Sequence, residues 1–115
     1  MENELIPLVA ARFKALSDPH RLAILSRLKD GECTVGGLAE ATNRPQPNVS
    51  QHLSSLSHAG LVESRRDGTR VYYRIADVYI LKICEAVCDS LAEGGAARRR
   101  HGAALRSRRR AGGRR

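Results

Sequence analysis

Thr34-Val35-Gly36-Gly37-Leu38-Ala39-Glu40-Ala41-Thr42-Asn43-Arg44-Pro45-Gln46-Pro47-Asn48-Val49-Ser50-Gln51-His52-Leu53 decides the reading of this chain. It breaks at Asn43-Arg44-Pro45 into two short helical segments. The apolar positions Val35, Leu38, Val49, Leu53 and Leu56 can be buried together only if those segments cross. Crossing turns Asn48, Gln51, Ser54 and Ser55 outward, which is the layout of a helix-turn-helix. A polar face on a core-seeking helix needs a partner, and the edges of DNA bases fit it.

Downstream the period changes from helical to alternating. Leu61 to Arg66 and Thr69 to Ile75 read as two short strands joined by Asp67-Gly68, a pair favoured in two-residue type I′ hairpins. Val71, Tyr73 and Ile75 alternate with Arg70, Tyr72 and Arg74, so one face packs and the other carries guanidinium groups and a phenol. This is a wing following a reading helix.

Upstream, Leu5, Val9, Phe13 and Leu16 predict a helix over 5–16 with one apolar stripe. Asp18 is suited to cap, and Pro19 to open, a second helix with Leu22, Leu25 and Leu28 on its buried face, ending near Asp30-Gly31. Thr34 caps the third helix. The fourth starts at Gln46 or Pro47 and ends at Ala59-Gly60, with glycine as the C′ residue.

After the wing, Asp77 precedes a last helix reaching about Glu93, where Gly94-Gly95 is expected to stop it. Its stripe of Ile80, Ile83, Cys84, Val87, Cys88 and Leu91 is broader than a small monomer needs. Self-association with the first helix across a two-fold axis uses the surplus. The expected fold is therefore mainly α with a small β-hairpin: a dimeric winged helix-turn-helix of four helices, two strands and a fifth helix. Residues 1–93 form the DNA-binding and dimerisation domain, and 94–115 a disordered arginine-rich tail.

Charge follows this division. The chain of 115 residues has a formal net charge of +8, but nine of its twenty Lys and Arg residues lie beyond Glu93. The body keeps 11 basic against 12 acidic residues, a net of −1. The basic pI is thus a property of the tail and is weak evidence for sequence-specific DNA binding. Met1-Glu2-Asn3-Glu4 lacks the basic start of a signal peptide, and no apolar run approaches the roughly 18 residues of a membrane span. A cytoplasmic protein, on the nucleoid when DNA-bound and with no membrane partner, is expected. Cys33, Cys84 and Cys88 are too few for a disulfide framework.

Several motifs share one family pattern. Ala15-Leu16-Ser17-Asp18-Pro19-His20-Arg21-Leu22-Ala23-Ile24-Leu25, Pro47-Asn48-Val49-Ser50-Gln51-His52-Leu53-Ser54-Ser55-Leu56, Ala59-Gly60-Leu61-Val62 and Arg66-Asp67-Gly68-Thr69-Arg70-Val71-Tyr72-Tyr73-Arg74-Ile75 occur in order. Over residues 5–93 the chain resembles the ArsR/SmtB family of bacterial winged-helix repressors. The resemblance implies a homodimer that sits on an operator and lets go when an effector binds.

On the reading helix Gln46, Pro47, Asn48, Ser50, Gln51, Ser54 and Ser55 are the candidate DNA-facing residues. Asn48 and Gln51 suit the adenine N6/N7 edge, at about 1–3 kcal/mol of discrimination per pair. Ser50, Ser54 and Thr34 suit phosphates. His52, beside this face, suits packing or a phosphate. Arg65, Arg66 and Arg70 flank the hairpin tip, within reach of the minor groove or backbone. A dimer would place its reading helices about one DNA turn, roughly 34 Å, apart on an inverted repeat.

Sensing is less determined. Metal sensors of this family often use an Asp-x-His at the start of the last helix and two later ligands. Here the positions hold Asp77-Val78-Tyr79, Ser90 and Glu93, so a zinc or cobalt site is not expected there. The Cys-x-Cys of arsenic and cadmium sensors is reduced to Cys33, whose thiolate a helix start would stabilise. Cys84 and Cys88 share a helix face. Three readings stay open for them: small apolar side chains at an interface, ligands of a thiophilic ion such as As(III), Cd(II) or Pb(II), or redox and sulfur sensors. No cofactor is certain. His20, His52, His58 and His101 have no common spacing that suggests a metal.

Other classes compete weakly. An enzyme finds no nucleophile elbow, phosphate loop, paired-carboxylate site or His-Glu-x-x-His. A non-specific architectural binder would rest on the tail, and a repressor without a small-molecule effector would share the fold.

Overall fold

The computed structural model describes the backbone of residues 1–110 and the side chains of residues 1–95. In chain order it contains α1 (Ile6–Leu16), α2 (Pro19–Leu28), β1 (Cys33–Thr34), α3 (Val35–Thr42), α4 (Gln46–His58), β2 (Val62–Asp67), β3 (Arg70–Ile75) and α5 (Val78–Arg110). Two compact units divide at Val78 and Tyr79, earlier than the composition change at Glu93.

Local chemistry explains most boundaries in the first unit. The Asp18 carboxylate accepts the backbone N–H groups of His20 and Arg21, and Pro19 opens α2 where no donor is required. Thr34 Oγ1 accepts the Gly37 N–H and caps α3. At the other end of α3, Asn43 adopts a left-handed conformation. The Arg44 N–H then reaches Ala39 O and the Asn43 N–H reaches Glu40 O, a Schellman closure. Gly60 ends α4 in the same way, with Leu61 N donating to Leu56 O.

The core forms where α2, α3 and α4 meet. Ile24, Leu25, Leu38, Val49, Leu53, Leu56 and Leu61 are fully buried. Val35 is only half-buried, and Leu22, expected inside, is exposed while Ile24 takes the inner position. Burying a Leu or Ile contributes about 1.5–3 kcal/mol, so these seven side chains fix the crossing of the helix-turn-helix.

The sheet has three strands in the order β1-β3-β2, all antiparallel. The sequence reading held only the hairpin. β1 is two residues long and carries no periodicity, and it exists because Cys33 and Thr34 pair with Tyr73 and Tyr72. The hairpin also closes one residue later than expected. Asp67 pairs with Arg70, which leaves Gly68-Thr69 as the two-residue turn. Gly68 has φ 64° and no positive φ is found at Thr69. That pattern belongs to a type II′ turn, which requires glycine at its first central position and frees Asp67 to pair in the strand.

Helix α5 runs through Gly94-Gly95 to Arg110, so the expected stop and a disordered segment from 94 are corrected over 94–110. Glycine costs about 1 kcal/mol in a helix interior relative to alanine but does not forbid it, and the flanking Ala and Arg residues are strong helix formers. Residues 111–115 of the expected tail lie outside the described residues. On α5, Ile80 is buried, while Tyr79, Val87 and Leu91 are exposed. On α1, Ile6, Leu8 and Phe13 are exposed as well. Among the described residues no helix is long and apolar enough to cross a membrane.

Candidate nucleic-acid interface

Helix α4 has two chemically distinct sides. Val49, Leu53 and Leu56 hold it in the core, and Gln46, Pro47, Ser50, Gln51 and Ser54 are exposed on the opposite side. These are five of the seven residues read as DNA-facing on this helix. Pro45 at the N-cap and Pro47 in the first turn begin the helix without a side-chain cap; Pro47 has no N–H to satisfy and the Asn48 N–H donates to Pro45 O at 3.1 Å. The Gln46 amide lies toward α3, since a Cβ added at Gly36 would meet its Nε2 at 3.4 Å.

Asn48 and Ser55 are less available than expected. Asn48 is half-buried, and its Oδ1 is buried without a hydrogen-bond partner. An acceptor left in that state costs roughly 1–3 kcal/mol, which rotation of the amide toward a donor would recover. Ser55 is half-buried and its hydroxyl donates to Gln51 O at 3.3 Å within the helix. His52, expected to pack or to meet a phosphate, is half-buried. Its ring turns toward α2, stacks on His20 with centroids 5.7 Å apart, and accepts from Arg21 Nε at 3.4 Å. Arg21 also donates to Ala15 O, so one guanidinium ties the end of α1, α2 and the reading helix.

The wing separates its arginines by role. Arg65 donates from Nε to Glu32 at 2.9 Å and makes a second bond from Nη2 to the same carboxylate. It also lies 4.7 Å over the Tyr72 ring. The guanidinium expected at DNA is thus engaged by Glu32 and Tyr72 in the free chain. Hydrogen bonding from Arg65 holds the Glu32 carboxyl below its ordinary pKa, and the same bond raises that of Arg65. Arg74 is paired with Glu63 at 2.7 Å. The side chains of Arg66 and Arg70 are exposed and make no hydrogen bond or ion pair among the described residues.

Arg70 has a further partner surface. With Thr34, Val35, Gly36 and Val71 it lines a shallow depression of about 370 Å³ at the start of α3. A helix N-terminus beside a free guanidinium is suited to a phosphate, because open N–H groups and the helix dipole both favour an anion. The Thr34 oxygen serves as the cap, leaving its hydroxyl proton for such a group.

The cysteines are not gathered into one site. Cys33 is buried in β1, and its Sγ would lie 2.6 Å from a Cβ placed on Gly37. It therefore packs inward, against the first turn of α3. Cys84 is half-buried and Cys88 exposed, one turn apart on α5. Burial, and secondarily the charge of Cys88, raise the pKa of the Cys84 thiol. Among the described residues no group of three potential donors contains a cysteine. A three-donor group that sequence spacing did not reveal is Asp18, His20 and His52. Its members are 32 or more residues apart along the chain except for the Asp18-Pro19-His20 run, so only the fold brings them together.

Comparison with known proteins agrees with this geometry. Residues 18–64 match the model for the bacterial regulatory protein, arsR family. Over 105 residues the chain is 37% identical to the HTH-type transcriptional regulator KmtR of Mycobacterium tuberculosis, spanning 90% of this chain and 81% of that protein. The chain belongs to the ArsR family. This ArsR-family chain is also 38% identical over 93 residues to the HTH-type transcriptional repressor SmtB of M. tuberculosis, covering 81% and 67% of the two. The solution structure of the homodimeric winged helix-turn-helix domain of Mb0332 from Mycobacterium bovis superposes with a TM-score of 0.72 at 37% identity, over 82% of this chain and 93% of that one. The relatives are transcription regulators and not enzymes, as the lack of a catalytic motif led one to expect.

Proposed function

We propose that this chain is a homodimeric repressor that binds an inverted-repeat operator through α4 and leaves it when an effector engages the cysteines of α5. The observation that carries the DNA reading is the exposed row Gln46, Pro47, Ser50, Gln51 and Ser54 on a helix whose other side is wholly buried. Gln51 offers a donor and an acceptor side by side, the pairing that reads adenine in the major groove. Arg70 and the N-terminus of α3 hold a phosphate next to the groove, and Arg66 reaches the backbone or minor groove from the wing.

Dimerisation accounts for the apolar surface a single chain leaves open. Ile6, Leu8 and Phe13 on α1 and Val87 and Leu91 on α5 are all at least 47% exposed. A second copy covering them supplies the two reading helices a two-fold operator requires. The homodimeric state of the Mb0332 domain supports this assembly. Such a repressor acts in the cytoplasm, on the nucleoid.

Effector release is assigned to Cys84 and Cys88, doubled in the dimer, with a thiophilic ion such as As(III), Cd(II) or Pb(II) as ligand. Their one-turn spacing on α5, with Cys88 exposed, supports this. A coupling of about 1–3 kcal/mol, or 5- to 150-fold in DNA affinity, suffices for a switch of this kind. Oxidation or persulfidation of the same thiols is the second reading, favoured by the exposure of Cys88.

Fluorescence anisotropy on promoter DNA tests the proposal, with reduced protein titrated by As(III), Cd(II), Pb(II) and a polysulfide. Release by one of them, lost in Cys84→Ser/Cys88→Ser, is the expected result. Selective binding that none disturbs would leave the repressor and remove the thiol effector. Equal affinity for any duplex would point to the non-specific architectural binder.

A further inference from the structure

We propose that Asp18, His20 and His52 form a binding site for a divalent transition-metal ion, clamping the start of α2 to the middle of the reading helix α4. One donor atom from each residue lies within 4.8 Å of the other two. Metal–ligand bonds of about 2.0–2.2 Å place neighbouring ligands about 3.4 Å apart around a tetrahedral ion. Side-chain adjustments on the order of 1 Å therefore close the site, with no backbone rearrangement.

The three side chains are already constrained toward it. Asp18 Oδ1 accepts the His20 N–H at 2.8 Å and the Arg21 N–H at 3.2 Å, which fixes the carboxylate at the helix start. These two bonds and the 3.5 Å approach of His20 Nδ1 all fall on Oδ1, which leaves Oδ2 for a ligand. The two imidazole planes are inclined by only 26°. Arg21 Nε donates to His52 Nδ1, which accepts in this contact. The 3.4 Å length of this contact makes it easy to displace.

All three residues are half-buried, which limits competing water yet leaves an entry path. Two imidazoles and one carboxylate select Zn(II), Co(II) or Ni(II) over Mg(II) and Ca(II), which prefer all-oxygen sets. Three protein ligands leave one or more positions open to water. The site lies in the winged unit and involves none of the cysteines, so it stands independently of the effector assigned to them.

The test is a Zn(II) titration of the full chain, followed by NMR of the imidazole resonances and by competition with a chromophoric chelator. The resonances of His20 and His52 are expected to move first, before that of His58. Asp18→Asn keeps a good N-cap acceptor and removes the anionic ligand. It and His52→Gln are expected to weaken Zn(II) by at least about tenfold, the scale on which even outer-shell losses are felt. His58→Gln and Cys84→Ser/Cys88→Ser are expected to bind as wild type. Circular dichroism melts without metal confirm that each variant folds, and the NMR result on the unaltered chain decides the matter if His52→Gln does not. Unmoved His20 and His52 resonances, full affinity in Asp18→Asn and His52→Gln, or loss of binding only in the thiol variant would each overturn the site.

Discussion

Replacing Arg70 and Arg65 separately by alanine should divide the wing into a residue that touches DNA and one that holds the fold. Arg70 is exposed, its side chain makes no ion pair among the described residues, and it lines the depression at the start of α3. Each phosphate neutralised on duplex DNA contributes about 0.9 to the slope of log affinity against log salt. At about 0.15 M salt one such contact is worth roughly a fivefold gain in affinity, and the pair in a dimer about 30-fold. Arg70→Ala should therefore weaken binding about 30-fold on operator and unrelated duplex alike and reduce the slope by about 1.8. Arg65 is engaged by Glu32 and Tyr72, so Arg65→Ala should leave the slope unchanged and lower the melting temperature instead. Anisotropy titrations at four salt concentrations read both quantities. A slope reduction in Arg65→Ala equal to that in Arg70→Ala would refute the division.

Other outcomes follow from the packing and the titrating groups. Gly37→Ala forces a Cβ against Cys33 Sγ, whose backbone is fixed in the sheet, and should destabilise by about 1–3 kcal/mol; Cys33→Ala in the same chain should recover part of it in a denaturant melt. The carboxyl of Glu32 is held below its usual pKa, so its contribution is present above the unfolded-state pKa and lost as pH falls through the folded one. The melting-temperature gap between wild type and Glu32→Gln should accordingly be widest near neutrality and close in acid, below the ordinary glutamate pKa of 4.5. Thiol alkylation followed by mass spectrometry should modify Cys88 first, Cys84 more slowly and Cys33 last, following exposure and the raised pKa of Cys84; a Cys33 that reacts first would contradict its burial in β1.

Much of the fold was legible because it rests on periodicity and caps. Asp18, Thr34, Asn43 and Gly60 act through their own backbone neighbourhood, and Leu38, Val49, Leu53 and Leu56 repeat at helical spacing. What escaped depends on distant partners. Strand β1 is visible only from β3, and the hairpin register turned on whether glycine took the first or second central position. The helix beyond Gly94-Gly95 escaped because a glycine pair is a penalty and not a barrier.

The same distinction holds at the interface. Gln46, Pro47, Ser50, Gln51 and Ser54 could be placed by a helical wheel, since facing away from the core is a local property. Arg65 could not, because its engagement depends on Glu32, 33 residues away. His52 and His20 share no motif, and only the crossing of α2 and α4 stacks them. A sequence reading reaches such pairs only once helix packing is known.

Gln51, exposed in the middle of the outer face of α4, separates sequence reading from non-specific binding. Dissociation constants of the full chain and of Gln51→Ala should be measured at one salt concentration, on the duplex bound most tightly in its own promoter region and on a scrambled duplex of equal length. Wild type should prefer the promoter site, and Gln51→Ala should lose about 5- to 150-fold per half-site there, at about 1–3 kcal/mol per base pair read, while its affinity for the scrambled duplex is unchanged. Equal losses on both duplexes, or no loss on either, would contradict sequence reading by α4.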